Sequence, residues 1–167
     1  VIEYLNYGSN GFKTLPSGKN TGFNKNDVVA KFKTNLFPTA VAKQSLEFKF
    51  QYADEVGNET YLGLSEEDFN ANPFSRYAAS NNDKMTTDHS QYMLTHTLEF
   101  SKNLRITTTA YQNNFARNWY KLNDVTFDGN KKSIAAILND PTTLANHFSI
   151  VNGTVNSDAD ALGVKAN

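Results

Sequence analysis

The sequence predicts an all-β fold: an antiparallel section of a transmembrane β-barrel, made of up-and-down hairpins with long outer loops. Two observations carry that prediction. Five short segments alternate apolar and polar residues with period two, which marks strands with unlike faces. The connections between and after them run long, short, long, short, long, the rhythm of barrels whose turns are short on one side of a membrane and long on the other. Three long loops in a chain of 167 residues are hard to reconcile with a small soluble sandwich.

The first segment, Val1 to about Tyr7, has ambiguous facing because Glu3 and Asn6 have opposite parity. A glycine-rich connection from Gly8 to Asp27 leads to the second, Val28 to Leu36. There Val28, Ala30, Phe32, Thr34 and Leu36 share a face opposite Lys31 and Lys33. Phe37-Pro38-Thr39-Ala40 opens a short connection, since proline ends a strand. The third segment, Ser45 to Ala53, is the clearest. Leu46, Phe48, Phe50 and Tyr52 lie on one side, and Glu47, Lys49 and Gln51 on the other.

After a polar excursion from Asp54 to about His89, the fourth segment runs from Gln91 to Phe100. Tyr92, Leu94, His96, Leu98 and Phe100 share one face. Ser101-Lys102-Asn103 turns tightly into the fifth, Leu104 to about Tyr111. If Phe100 pairs with Leu104, Glu99 faces Arg105 and Leu98 faces Ile106. One register thus gives a charge pair on one face and an apolar pair on the other. Beyond Phe115 to Tyr120 comes a third excursion, Lys121 to Asp160, with short helices expected over Ser133–Leu138 and Thr142–Phe148. The chain starts in strand-like sequence, and Ala161 to Asn167 reads as the entry to another strand. The whole is expected to be one fragment, residues 1–167, of a larger barrel domain.

Composition narrows the function classes. A net charge of -1 and a pI of about 6.3 give no bulk attraction for nucleic acid. With 39% hydrophobic residues and a mean hydropathy of -0.55, no apolar run reaches the length of about 20 residues of a membrane helix. A barrel needs none, because only alternate strand residues meet lipid. Cysteine is absent, which removes disulfides and thiolate chemistry together.

The second loop and the segment after the fifth strand carry a family resemblance. Asn58-Glu59-Thr60-Tyr61-Leu62-Gly63-Leu64, then Asp68-Phe69, Asn72-Pro73-Phe74 and Arg76-Tyr77-Ala78-Ala79-Ser80, resemble TonB-dependent outer-membrane receptors, nearest the group of ferric-dicitrate receptors. Leu104 to Tyr111, with Asn113, Phe115 and Arg117 to Leu122 after it, is similar to the same family, as are Gly11-Phe12-Lys13 and Thr21-Gly22-Phe23 with Asn26-Asp27. The resemblance implies a closed barrel of the bacterial outer membrane around an internal plug. It implies active import of an iron chelate or another scarce nutrient, with the TonB complex, the nutrient and outer-membrane lipid as partners. The plug and the remaining strands are missing from these residues. The alternatives are a secreted or surface β-sandwich binding module, for carbohydrate or similar, and a passive porin-like channel.

Catalytic patterns are missing. His89, His96 and His147 lack zinc-ligand spacing, and no Gly-x-Ser-x-Gly elbow or phosphate-cradling loop occurs. No enzyme, cofactor or metal is therefore expected. Acidic Asp54, Glu55, Glu59, Glu66, Glu67, Asp68, Asp158 and Asp160 read as solvated loops before Ca²⁺ ligands. An anionic chelate would need guanidinium compensation. The ligand candidates on outer loops are accordingly Arg76, Tyr77, Tyr61 and Arg117, against structural ion pairing for the arginines. Tyr52, Tyr92, Phe100, Trp119 and Tyr120 are expected in interfacial girdles. Lys31, Lys33, Glu47, Lys49, Glu99 and Arg105 would face the lumen.

Overall fold

The computed structural model describes residues 1–39 and 41–155, together with the backbone of 162–165. The expectations at Ala40, Asp158 and Asp160 lie outside the described residues. The described chain is mostly antiparallel β-sheet. Its strands are β1 (Ile2–Ser9), β2 (Phe23–Leu36), β3 (Lys43–Gly57), β4 (Lys84–Ser101), β5 (Leu104–Phe127), β6 (Asn130–Ser133) and β7 (Leu162–Lys165). The helices are α1 (Glu66–Ala71), α2 (Ile134–Asn139) and α3 (Ala145–Asn152), with a 3₁₀ turn at Ala78–Asn82. Neighbours in the sheet follow chain order from β1 to β6, and β7 pairs with β5. Among the described residues the sheet is open: β1 stands at one edge, and no described strand closes back onto it.

Every strand is longer than its alternation suggests, above all β5, expected to stop near Tyr111. The extra length is polar. Gln112, Asn113 and Asn114 hide the period, yet Gln91 Nε2 donates to Asn113 Oδ1 at 2.9 Å and Asn114 Nδ2 to Ser90 Oγ at 3.4 Å. Side-chain hydrogen bonds hold the pairing there in place of apolar contact.

The chain divides into two compact units: one of Val1–Tyr7, Lys25–Glu55 and Thr87–Ala116, the other of Gly8–Asn24, Val56–Thr86 and Arg117–Asn167. In the first unit, partner numbers fall as the first residue's rise, so the registers are antiparallel. Val1 and Lys31 exchange backbone hydrogen bonds of 2.9 and 2.8 Å. Asn26 joins Asn6 at 2.7 Å and Asp54 at 3.1 Å. Lys49 Nζ donates to Gln91 at 3.1 Å, Tyr52 to Asp88 at 3.0 Å, and His96 lies 3.0 Å from Gln44. Between β4 and β5, Arg105 bonds Glu99 and Thr95 bonds Thr109 at 3.2 Å. The expected hairpin register is the one observed.

All these pairs match even numbers with even and odd with odd, so parity alone names the face. The even face carries Ile2, Tyr4, Val28, Ala30, Phe32, Leu46, Phe48, Phe50, Tyr92, Leu94, Leu98 and Ile106. This settles the facing of β1. Phe32 (64% exposed), Leu94 (43%) and Ile106 (47%) remain uncovered. The described residues form one sheet, so they supply no second sheet to bury this face, as a sandwich would require.

The second unit holds the chain's buried core. Leu62, Tyr77, Leu122, Val125, Ile134, Ile137, Ile150 and Val151 pack together. The loop after β3 and the segment after β5 are therefore folded elements. Strand β5 continues through the start of the expected third excursion and turns at Asp128-Gly129 into β6, pairing Phe127 with Asn130. Both turn residues have positive φ, 46° and 72°, the requirement of a two-residue type I′ hairpin. Ser133 caps α2 by accepting from the Ala136 N–H at 3.2 Å, one residue past the expected helix start, and α3 begins at Ala145 because Pro141 to Leu144 form turns. The entry into a further strand after Ala161 appears as β7, antiparallel to β5.

Candidate functional site

The loop candidates divide into two groups within the second unit. Tyr77 is 7% exposed and makes its contacts inward. Its hydroxyl donates to Asp68 Oδ2 at 2.5 Å and accepts from the Ser65 N–H at 3.0 Å. Its ring meets Phe148 edge-on, with centroids 5.3 Å apart. Burial, then the Asp68 hydrogen bond, pushes the phenol above its ordinary pKa. Ser65 meanwhile caps α1 by accepting from the Asp68 N–H, so Tyr77 locks the start of that helix.

Arg76 is half-buried and clamps its own loop. Its Nη1 donates to the carbonyls of Pro73 (2.9 Å) and Ser75 (2.5 Å). The backbone beside it bridges to the first loop: Thr14 N donates to Phe74 O at 2.8 Å and Arg76 N to Thr14 O at 2.9 Å. That bridge brings Lys13 into the electrostatic field of Arg76. Burial, then the Arg76 charge, lowers the Lys13 pKa against a weaker opposing pull from Glu59. Neither cation makes an ion pair among the described residues.

Tyr61 and Arg117 do come together, through two residues that were not named as ligand candidates. Arg117, Trp119 and Lys121 alternate along β5, so their side chains project to one side. Lys121 Nζ lies 3.7 Å from the Tyr61 ring centre and 3.9 Å from that of Trp119. The two rings meet edge to face at 5.3 Å, and the Arg117 guanidinium sits 5.4 Å from Trp119. Trp119, one of the expected girdle residues, packs in this aromatic and cationic cluster, with its Nε1 buried and without an acceptor among the described residues. The signal lay in the spacing Arg117-x-Trp119-x-Lys121, which strand period two converts to a single row.

Asp83 anchors the base of the same loop. It is buried and accepts from the Tyr61 N–H at 2.9 Å and from the Leu122 backbone. Burial raises its pKa above the ordinary 3.8, and these hydrogen bonds partly offset that.

In the first unit, the odd face bears the residues expected to face a lumen. Lys49, Gln91 and Asn113 form a hydrogen-bonded row across β3, β4 and β5. Glu99 and Arg105 are paired. His96, on the even face, is satisfied by Gln44. His147, in the second unit, is buried and donates through Nε2 to the Asn130 carbonyl at 2.8 Å. Among the described residues, no group of three histidines or carboxylates could hold a metal ion. No helix there is long and apolar enough to cross a membrane.

No family model, curated protein or solved structure matches the chain.

Proposed function

We propose that this chain is a wall section of an outer-membrane barrel of the TonB-dependent receptor type. Such a receptor takes up a scarce nutrient, foremost an iron chelate such as ferric citrate or a siderophore. The observation that carries the reading is the even face. It is apolar across five strands, exposed, and backed by a polar odd face. From Tyr92 to Phe100 it extends about 26 Å along β4 at about 3.3 Å per residue. Tilted by about 40°, that covers about 20 Å of depth, near the apolar band of about 25 Å in outer-membrane barrels.

The face ends in a band suited to a headgroup region. Tyr4 OH donates to Asn26 and Tyr52 OH to Asp88, while Asn26 also binds Asp54. Tyrosines with apolar rings and hydrogen-bonded hydroxyls are favoured at that depth. In this reading the free edge of β1 pairs with a further strand, because unpaired backbone cannot stand in lipid. Ligand would meet the loops of the second unit, where Arg117, Tyr61, Trp119 and Lys121 gather. Import would use TonB-transduced energy through a plug.

The test is cell fractionation followed by uptake. The native polypeptide should sediment with the outer membrane, migrate differently before and after boiling, and support TonB-dependent accumulation of ferric citrate or a siderophore under iron limitation. A soluble, monomeric native protein would overturn the membrane reading. Outer-membrane location without TonB dependence would favour the passive channel.

A further inference from the structure

We infer that the first loop and the strand ends beside it form a binding site for an uncharged oligosaccharide. The site lies wholly in the second unit and is independent of the iron-chelate reading. An open cavity of about 590 Å³ is lined by Ser9, Asn10, Asn20, Asn24, Asn58 and Phe23, with Gly8, Gly22 and Val56 completing it. None of these residues is charged. A carboxamide offers both donor and acceptor, as does each sugar hydroxyl. Ligand sites combine an apolar surface with a few fixed polar groups. Here the apolar surface is Phe23, a residue 38% exposed. It suits the C–H face of a pyranose.

The amides are held in place before any ligand arrives. Asn20 Oδ1 accepts from the Gly22 N–H at 2.6 Å, and its Nδ2 donates to Asn10 Oδ1 at 3.0 Å. That fixes Asn10 with its own Nδ2 unengaged among the described residues. Asn58 is held by its backbone N–H, which donates to Gly22 O at 2.8 Å, and its side-chain amide has no partner among them. The close approach behind this arrangement requires glycine: a Cβ on Gly22 would fall 1.6 Å from the Ser9 carbonyl oxygen. A second cavity of about 240 Å³ shares Asn20 and Asn58 and adds Asn81 and Asn82, with the charged Lys19, Asp83 and Lys84 on its far side. Two adjoining polar cavities with a common wall fit a ligand longer than one sugar ring.

The test is isothermal titration of the full native polypeptide in detergent with maltoheptaose, cellohexaose, xylohexaose and chitohexaose, and separately with delipidated O-chain polysaccharide. Saturable binding to a neutral glycan is expected. Binding in the first arm identifies a free nutrient glycan, and in the second a cell-surface one. Phe23→Ala should weaken it at least tenfold, Asn58→Ala at least threefold, and Phe23→Trp should retain it. Asn10→Ala, at a residue outside the core, provides a second weakening variant should Phe23→Ala fail to fold. No saturable binding in either arm would overturn the proposal, as would binding unchanged by Asn58→Ala and Asn10→Ala. This readout needs neither transport nor iron, so it stands or falls apart from the uptake assay.

Discussion

The Lys121 ammonium lies 3.9 Å from the centre of the Trp119 ring and nearer still, 3.7 Å, to that of Tyr61, joining β5 to the loop after β3. Cation–π contacts of this kind contribute about 0.5–1 kcal/mol each at exposed sites. Lys121→Met should therefore lower the stability of this region by about 1 kcal/mol. Trp119 is the sole tryptophan, so its fluorescence reports the change directly. Its emission should shift in Lys121→Met and stay unaltered in Lys131→Met, whose ammonium pairs instead with Asp124.

The two sheet faces should respond oppositely to charge. Leu94→Arg puts a guanidinium at the centre of the apolar face, a cost of about 2–4 kcal/mol at the middle of a bilayer. Lys31→Ala, on the polar face and exposed, should change stability by less than about 0.5 kcal/mol. Outer-membrane yield and heat-modifiable migration measure both. Equal tolerance of the two variants would sink the lipid-facing assignment.

Asp83 gives the loop region a pH dependence with a definite sign. Its folded pKa is raised by burial, so the folded state holds the proton more tightly than the unfolded chain. Its contribution is fully present below pH 3.8, the ordinary value, and is lost as pH rises through the folded value. Asp83→Asn should flatten that part of the stability profile. Hydrogen exchange at the Tyr61 amide, which Asp83 accepts from, followed across acid to neutral pH, is the measurement.

Tyr77→Phe removes the hydroxyl that accepts from the buried Ser65 N–H and donates to Asp68. Leaving such groups unsatisfied costs about 1–3 kcal/mol. The variant should melt earlier, whereas a Tyr77 that served only a ligand would leave the melting temperature unchanged.

The β4–β5 hairpin was legible because two independent signals agreed: a short polar turn, and a register matching Glu99 to Arg105 and Leu98 to Ile106. Strand β5 was legible only to Tyr111. Its next residues, Gln112 to Asn114, break the apolar alternation, and their hydrogen bonds to Gln91 and Ser90 depend on a partner distant in sequence. The Asp128-Gly129 hairpin was readable from its turn dipeptide, but the flanking Thr126 and Lys131 offer little apolar contrast. Gly129→Ala, forced to keep a φ of 72°, should cost more than about 1 kcal/mol. Thermal melting will show it. Of the site, Tyr61 and Arg117 were legible as loop and strand-end residues, while Lys121 was passed over as the start of an excursion. The burial of Tyr77 was illegible locally, because Phe148 of α3, which meets its ring edge-on, and the β5 and α2 side chains of the same core lie far along the chain.

The matching of even with even across β1 to β5 has a consequence for how such a sheet can change over time. Substitutions alter one side chain, but the loss of a single residue inside β3 would exchange Phe48 with Lys49 and invert every later position of that strand. Length changes within residues 28–36, 45–53 or 91–100 must therefore come in twos, or be absorbed by a bulge. Homologous chains should vary freely in length between the strands and almost never by one residue within them.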